Sequence, residues 1–196
     1  QTTGFREWIG DRELQNLASH DFTIKNKDWE NTVKVRRHDI EDDNIGIYSP
    51  MFGQLGEDAA NHPDKLVFNL LKAGTSTPCY DGQNFFDTDH PVIVNGVETS
   101  VSNYGGGAGT PWYLIDTTKV VKAIIYQERR GYNLIRKDKD SDENVFMRNE
   151  YIYGSDARSN VGFGLWQLAY CSKQDLTGDN YGAARAAMQE LKKDNG

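Results

Sequence analysis

The sequence changes its apolar period partway along, and this constrains the fold more than any other feature. From Ile45 the apolar residues fall at three- and four-residue steps, through Tyr48, Met51, Phe52, Leu55, Ala59 and Ala60, and then through Leu66, Val67, Leu70 and Leu71. That spacing draws one stripe down a helix. The acidic run Asp39–Asp43 suits a helix start, where negative charge meets the positive end of the dipole. Gly74, just after Lys72 and Ala73, is a helix stop. The pattern predicts a long helix over about 45–73, bent near His62 and Pro63, because a proline is tolerated in a first turn but removes a bond further in. Its apolar stripe is expected to face the sheet that contains Trp166.

Before this helix the period is two. Phe22 and Ile24, then Val33 and Val35, alternate with polar residues around Asn26-Lys27-Asp28-Trp29-Glu30. This predicts a β-hairpin turning at the polar stretch, within an extended segment from about Phe5 to Arg37. A two-stranded ribbon is marginal alone in water, so it must lie on its own domain or on a neighbour. Phe22, Ile24, Trp29, Val33 and Val35 are therefore candidate inter-subunit contacts. After the helix, residues 75–111 are rich in turn signals, among them Asp81-Gly82, Asn95-Gly96 and Gly105-Gly106-Gly107, and read as one long connection with short strands at most. Residues 112–170 read as β, with strands at 112–115, 122–126, 145–153 and 162–170 and a solvated loop at 136–144. A short amphipathic helix follows Thr177, carried by Tyr181, Ala184, Met188 and Leu191.

Charge and cysteine usage exclude several classes. With 22 Lys and Arg against 29 Asp and Glu, the net charge of the 196 residues is −7, which is the wrong sign for gripping phosphates. Cys79 and Cys171 are far apart and form no CxxC pair, so they read as reduced thiols and not as a disulfide framework. No apolar run approaches the roughly 18 residues needed to span a bilayer. The chain opens on Gln1 and stops directly after a helical pattern, so it is expected to be a piece of a longer polypeptide.

The stretch with most chemistry is Tyr80-Asp81-Gly82-Gln83-Asn84-Phe85-Phe86-Asp87-Thr88-Asp89-His90-Pro91. Asp87, Asp89 and His90 are possible ligands for a divalent metal, which would define a metal-dependent hydrolase. Their spacing matches no standard calcium or zinc pattern. The competing reading, in which the aspartates bond backbone N–H groups in tight turns, is preferred, with no metal and no cofactor at these three residues. A third option is a carbohydrate- or protein-binding module built on Trp112, Tyr113 and Trp166. Gly105-Gly106-Gly107 lacks the Lys-Ser/Thr of a phosphate-binding loop. The glycines of Val161-Gly162-Phe163-Gly164-Leu165-Trp166 are expected to let another backbone approach closely.

Five groups of residues, taken together, resemble the major head subunit of Mu-like phages and prophages. They are Arg6–Arg12; Asp39–Asp43 with Gly46-Ile47-Tyr48; His62-Pro63-Asp64 with Leu70–Gly74; Tyr80–Gln83 with Phe86–Pro91; and Tyr153–Arg158 with Gly162–Tyr170. The resemblance covers nearly the whole chain. It implies an α+β chain with the Hong Kong 97-type capsid fold. Residues 1–38 would form the extended hairpin loop. Residues 39–175 would form the peripheral domain, with a spine helix at about 45–73, a long loop at 75–111 and a β-sheet at about 112–170. Residues 176–196 would open a truncated axial domain. It further implies a structural protein of the virion and not an enzyme, assembled in the host cytoplasm into hexamers and pentamers around double-stranded DNA without sequence-specific binding. Scaffolding, protease and portal proteins would be its partners, and no membrane is involved.

Overall fold

The structure, a computed structural model, describes residues 23–43, 46–94 and 97–191. These form two compact units. One takes Ile24–Leu70 and Tyr126–Val161; the other takes Leu71–Ile125 and the described part of Gly162–Gly196. The chain passes from one to the other within its long helix and two long strands.

In the first unit, strands β1 (Lys27–Arg36), β7 (Glu150–Phe163) and β6 (Ile124–Lys137) form a sheet in the order β1-β7-β6. β1 pairs antiparallel with β7 over its whole length, from Lys27 opposite Ser159 to Arg36 opposite Glu150. This corrects the hairpin expectation over the described residues. The period-two reading of the segment is right, but Lys27–Glu30 lies inside a strand, and the pairing partner is more than a hundred residues away. The part of the expected hairpin before Thr23, including Phe22, lies outside the described residues.

The inner face of this sheet carries Trp29, Val33 and Val35 from β1 and Tyr153, Ser155, Ala157 and Ser159 from β7. Helix α2 (Tyr48–Lys72) covers that face. The Phe52 ring lies 4.4 Å from Tyr153, His62 meets Trp29 edge-on at 4.6 Å, and Leu55 is buried. Small residues at 155, 157 and 159 leave room for a helix to approach the sheet closely. α2 therefore lies on β1-β7-β6, a sheet that does not include Trp166, which corrects the predicted docking surface. Met51 and Ala60, counted in the apolar stripe, face outward. Asp43 starts α2 by accepting the N–H groups of Gly46, Ile47 and Tyr48 at 2.8–3.2 Å, preceded by the short α1 (Arg37–Glu41). Pro63 sits within one continuous helix, where it deprives the Ala59 carbonyl of its usual donor.

The segment expected as a loop and then a strand at 136–153 is divided differently. Helix α3 (Glu143–Arg148) ends at Asn149, whose φ of 54° is the left-handed stop that asparagine tolerates. The polypeptide then enters β7.

The second unit is built around the sheet β4-β8-β5, with β4 (Tyr104–Gly107) parallel and β5 (Trp112–Ile115) antiparallel to β8 (Ala169–Lys173). Beside it are the two-stranded ribbon of β2 (His90–Val94) and β3 (Val97–Val101), a 3-10 turn at Trp166–Leu168, and α4 (Gly178–Glu190). So the stretch 75–111 contains three strands, the supposed strand 162–170 is broken by a turn, and the single β-sheet expected over 112–170 is split between two sheets. Gly164 makes the break possible: a Cβ there would lie 2.1 Å from the Lys122 carbonyl. Gly107, with φ +97°, allows equally close approach to the backbone of Lys173. α4 starts at Thr177, whose side chain accepts the Asn180 N–H, and it buries Ala184.

Candidate functional site

The 77–103 segment carries the polar residues singled out in the sequence, and in the structure it is held by a buried hub. Asn103 is fully buried. Its side-chain oxygen accepts the Asp87 N–H at 2.9 Å, and its amide nitrogen donates to the Phe85 carbonyl at 2.8 Å and the Trp166 carbonyl at 3.3 Å. Its backbone bonds Asp87 and Cys171. These bonds fix Phe85 and Phe86 in the core, where Phe85 stacks on Phe163 at 3.9 Å and meets Phe86 edge-on at 4.9 Å.

Asp87, Asp89 and His90 are not brought together as a ligand set. Asp87 turns inward on its own loop, accepting Asn84 Nδ2 at 3.0 Å and the Thr88 N–H at 2.7 Å. Burial opposes its ionisation, yet the bonds from Thr88 and Asn84 hold its carboxyl below the usual carboxylate range. Asp89 is exposed, and its hydrogen bond to Asp87 pushes its carboxyl up. His90 heads β2 with its side chain fully buried, its ring lying parallel to Trp166 at 3.9 Å.

The neighbours of His90 are instead Asp81 and Cys79. His90 Nδ1 is 2.7 Å from Asp81 Oδ2, and the Cys79 thiol donates to Asp81 Oδ1 at 2.9 Å, with the Gln83 N–H on the same oxygen at 3.0 Å. Burial works against the Asp81 charge, but the bonds from His90 and Cys79 hold its carboxyl below the ordinary value. Burial, together with the bond to Asp81, pushes the Cys79 thiol up to about 12, and burial pushes Cys171 to about 11. Both cysteines are free and inert as nucleophiles at neutral pH. Sequence reasoning missed Cys79 because a turn braced by Cys79 N–H to Gln83 O folds it back onto Asp81.

The aromatic set Trp112, Tyr113 and Trp166 does not make a binding platform. Trp166 has no exposed surface, and Tyr113 is half-buried 5.5 Å from the Phe86 ring. The contact candidates on β1 mostly face their own unit. Val35 is buried, and Val33 and Trp29 are half-buried, with Trp29 Nε1 donating to the Ser159 carbonyl at 3.0 Å. Ile24 is half-buried.

Between α2 and the inner sheet face lies a cleft of about 270 Å³, lined among others by Trp29, Asp58, His62, Lys65 and Tyr132. His62 Nδ1 and the Tyr132 hydroxyl are hydrogen-bonded at its wall. Burial, with Lys65 nearby, lowers the His62 pKa. The cleft mixes both charge signs, with Glu30 and Asp58 on its lining beside Lys65.

Solved structures place this architecture. The chain superposes over its whole length on a subunit in the procapsid of bacteriophage JBD30, with a TM-score of 0.81 and 48% identity, covering 67% of that chain. It superposes on a subunit in the JBD30 capsid with a TM-score of 0.77 and 32% identity, again covering 67%. The fold is thus the α+β capsid fold of the Hong Kong 97 type. The family described as Mu-like prophage major head subunit gpT matches residues 1–196, and the chain belongs to that family. It is 47% identical to the Mu-like prophage FluMu major head subunit of Haemophilus influenzae over 99% of its length, and 43% identical to the major capsid protein of Escherichia phage Mu over 97%. It spans 66% and 65% of those two relatives.

Proposed function

We propose that this chain forms the larger part of a phage head subunit that self-associates into hexamers and pentamers of a closed shell around double-stranded DNA. The observation carrying this reading is the whole-length superposition on the JBD30 procapsid subunit at 48% identity. The mechanism is repetition: many modest contacts between copies add up in a closed assembly. Exposed apolar side chains support it. Phe146 and Met147 on α3, Leu134 on β6 and Val120 are more than half exposed, and a shell would cover such residues. The net charge of −7 suits a container that must not grip its DNA. No helix among the described residues is long and apolar enough to cross a membrane.

The finer parts of the reading follow from it. Residues before Arg37 reach a neighbouring subunit, with Ile24 and the exposed part of Trp29 as the contacts left open by the inward packing of Val33 and Val35. α2 serves as the spine helix, and α4 leads into the axial domain. Scaffolding, protease and portal proteins act on the subunit during assembly in the host cytoplasm, and the product resides in the virion. The test is assembly of the full-length subunit, followed by sedimentation and electron microscopy. Closed particles of uniform size are expected. Folded subunits that stay dispersed at every concentration, with and without their co-expressed phage partners, would refute the reading.

A further inference from the structure

Three metal-ligating side chains meet in the second unit, at a place the shell reading does not use. Cys79 and Asp81 lie on the turn after Pro78, and His90 opens β2; one ligand atom from each lies within 4.8 Å of the others. The geometry points to a zinc site formed by Cys79 Sγ, the Asp81 carboxylate and His90 Nδ1.

The donor set selects the metal. One thiolate, one imidazole nitrogen and one carboxylate suit Zn²⁺, whereas Ca²⁺ and Mg²⁺ want oxygen throughout. The positions are largely prepared. His90 is clamped on Trp166 with its Nδ1 already turned to Asp81. The Cys79–Gln83 turn is closed by Cys79 N–H to Gln83 O at 2.8 Å and Gly82 N–H to Cys79 O at 3.2 Å. The separations of 2.7 and 2.9 Å are those of hydrogen bonds. Bond lengths of about 2.0–2.3 Å to zinc set ligand–ligand edges near 3.5 Å, so these two edges open by roughly 0.6–0.8 Å. Cys79 sits on an irregular turn and keeps some exposure, which gives the ion an entry and leaves a fourth position for water.

The protons balance. Before binding, the carboxylate is held by the Cys79 thiol proton and the proton on His90 Nδ1, and the three groups together carry −1. On binding, the thiol proton leaves to solvent and the imidazole proton moves from Nδ1 to Nε2. Thiolate, carboxylate, neutral imidazole and Zn²⁺ then sum to zero, which removes a net charge from a largely buried place. His90 Nε2 is buried without a hydrogen-bond partner, so moving the proton there adds no further unpaired atom. The bound ion would tie the 79–83 turn to β2, and through the ring stack to the Trp166 turn.

Titration of the chain with Co²⁺, a spectroscopic stand-in for Zn²⁺, tests this. About one equivalent should give a thiolate-to-cobalt charge-transfer band that Zn²⁺ displaces. Cys79→Ser should abolish the band, and Asp81→Asn should weaken Zn²⁺ binding by at least about tenfold. Cys171→Ser and Asp89→Ala should leave both unchanged, with circular dichroism checking that each variant is folded. No band from the folded wild-type chain, or a band that survives Cys79→Ser, would overturn the site whatever the variants' stability. None of these outcomes bears on whether the subunit assembles.

Discussion

The two units bury different amounts of themselves. The unit of β4-β8-β5 has a dense aromatic core in which Phe85, Phe86, Trp166, His90 and Asn103 are almost wholly removed from solvent. Among the described apolar residues of the unit of β1-β7-β6 and α2, only Val35, Leu55, Val145 and Ala157 are buried, while Phe68, Leu134, Phe146 and Met147 remain outside. One unit is held by its own interior. The other is held by a ten-residue strand pairing and by half-buried contacts such as Phe52–Tyr153 and Trp29–His62. A unit so thinly filled is the one expected to gain most from neighbouring copies.

Trp166→Ala attacks the dense unit at its centre and should have the largest effect. It removes a fully buried ring and the stack on His90, at a cost of about 3–5 kcal/mol. Chemical denaturation followed by far-UV circular dichroism would measure it. A loss below about 1 kcal/mol would mean that the core collapses around the gap, and the contrast between the units would fail.

Asn103→Ala comes next. It keeps the apolar core but strands the Phe85 carbonyl and the Asp87 N–H without their buried partner. A loss of about 2–3 kcal/mol is expected, since unsatisfied buried groups cost more than a typical bond contributes. Hydrogen exchange should show amides of the 84–90 loop opening first. Uniform protection loss across both units would instead show that Asn103 does not act locally.

Trp29→Ala probes the thin unit. The indole there loses an edge-on contact to His62 and a bond to the Ser159 carbonyl, together about 1–2 kcal/mol. Because Trp29 is half-buried in its own unit, part of its worth is internal, and comparing subunit stability with shell yield in the full-length protein separates the two. Assembly falling more than the stability loss explains would place Trp29 at a copy–copy contact. Assembly unchanged would make it a packing residue alone.

What the sequence made legible follows from the range of each interaction. α2 was readable because its stripe is local: of the apolar residues at helical spacing, Tyr48, Phe52, Leu55, Ala59 and Leu66 are shielded, while Met51 and Ala60 are not. The strand character of residues 33–36 was readable for the same reason, through period two. Its partner was not, because nothing near Lys27 announces Ser159, and the polar residues Lys27, Asp28 and Glu30 look the same in a turn as on the solvent face of an edge strand. The family and its fold were legible through motifs spread along the chain. The polar cluster was half legible. His90 was flagged, but proximity in sequence assigned it to Asp87 and Asp89, while a tight turn delivers Asp81 and Cys79. Asn103 carried no signal at all, since its role exists only once three separate segments converge on it.

The smallest effect concerns pH and again separates the units. His62 belongs to the thin unit, where burial and the nearby Lys65 lower its pKa from 6.5. Asp58 and Glu30 line the same cleft, and the neutral ring is bonded to the Tyr132 hydroxyl. With the folded value below the unfolded one, the unfolded chain binds a proton first as acid is added. The stability tied to neutral His62 is therefore complete above about pH 6.5 and declines as pH falls through 6.5 to the folded value, below which the loss stops growing. Asp81 and Asp87 act in a different window. Their carboxyls are lowered from 3.8, so their contribution is present above that value and is lost only as pH falls through the folded one. Urea midpoints at about pH 7.5 and about pH 5.5 should thus differ in the wild type, and His62→Phe, which keeps a ring against Trp29, should shrink the difference. An unchanged difference in His62→Phe would show that the neutral-pH sensitivity of this chain arises elsewhere.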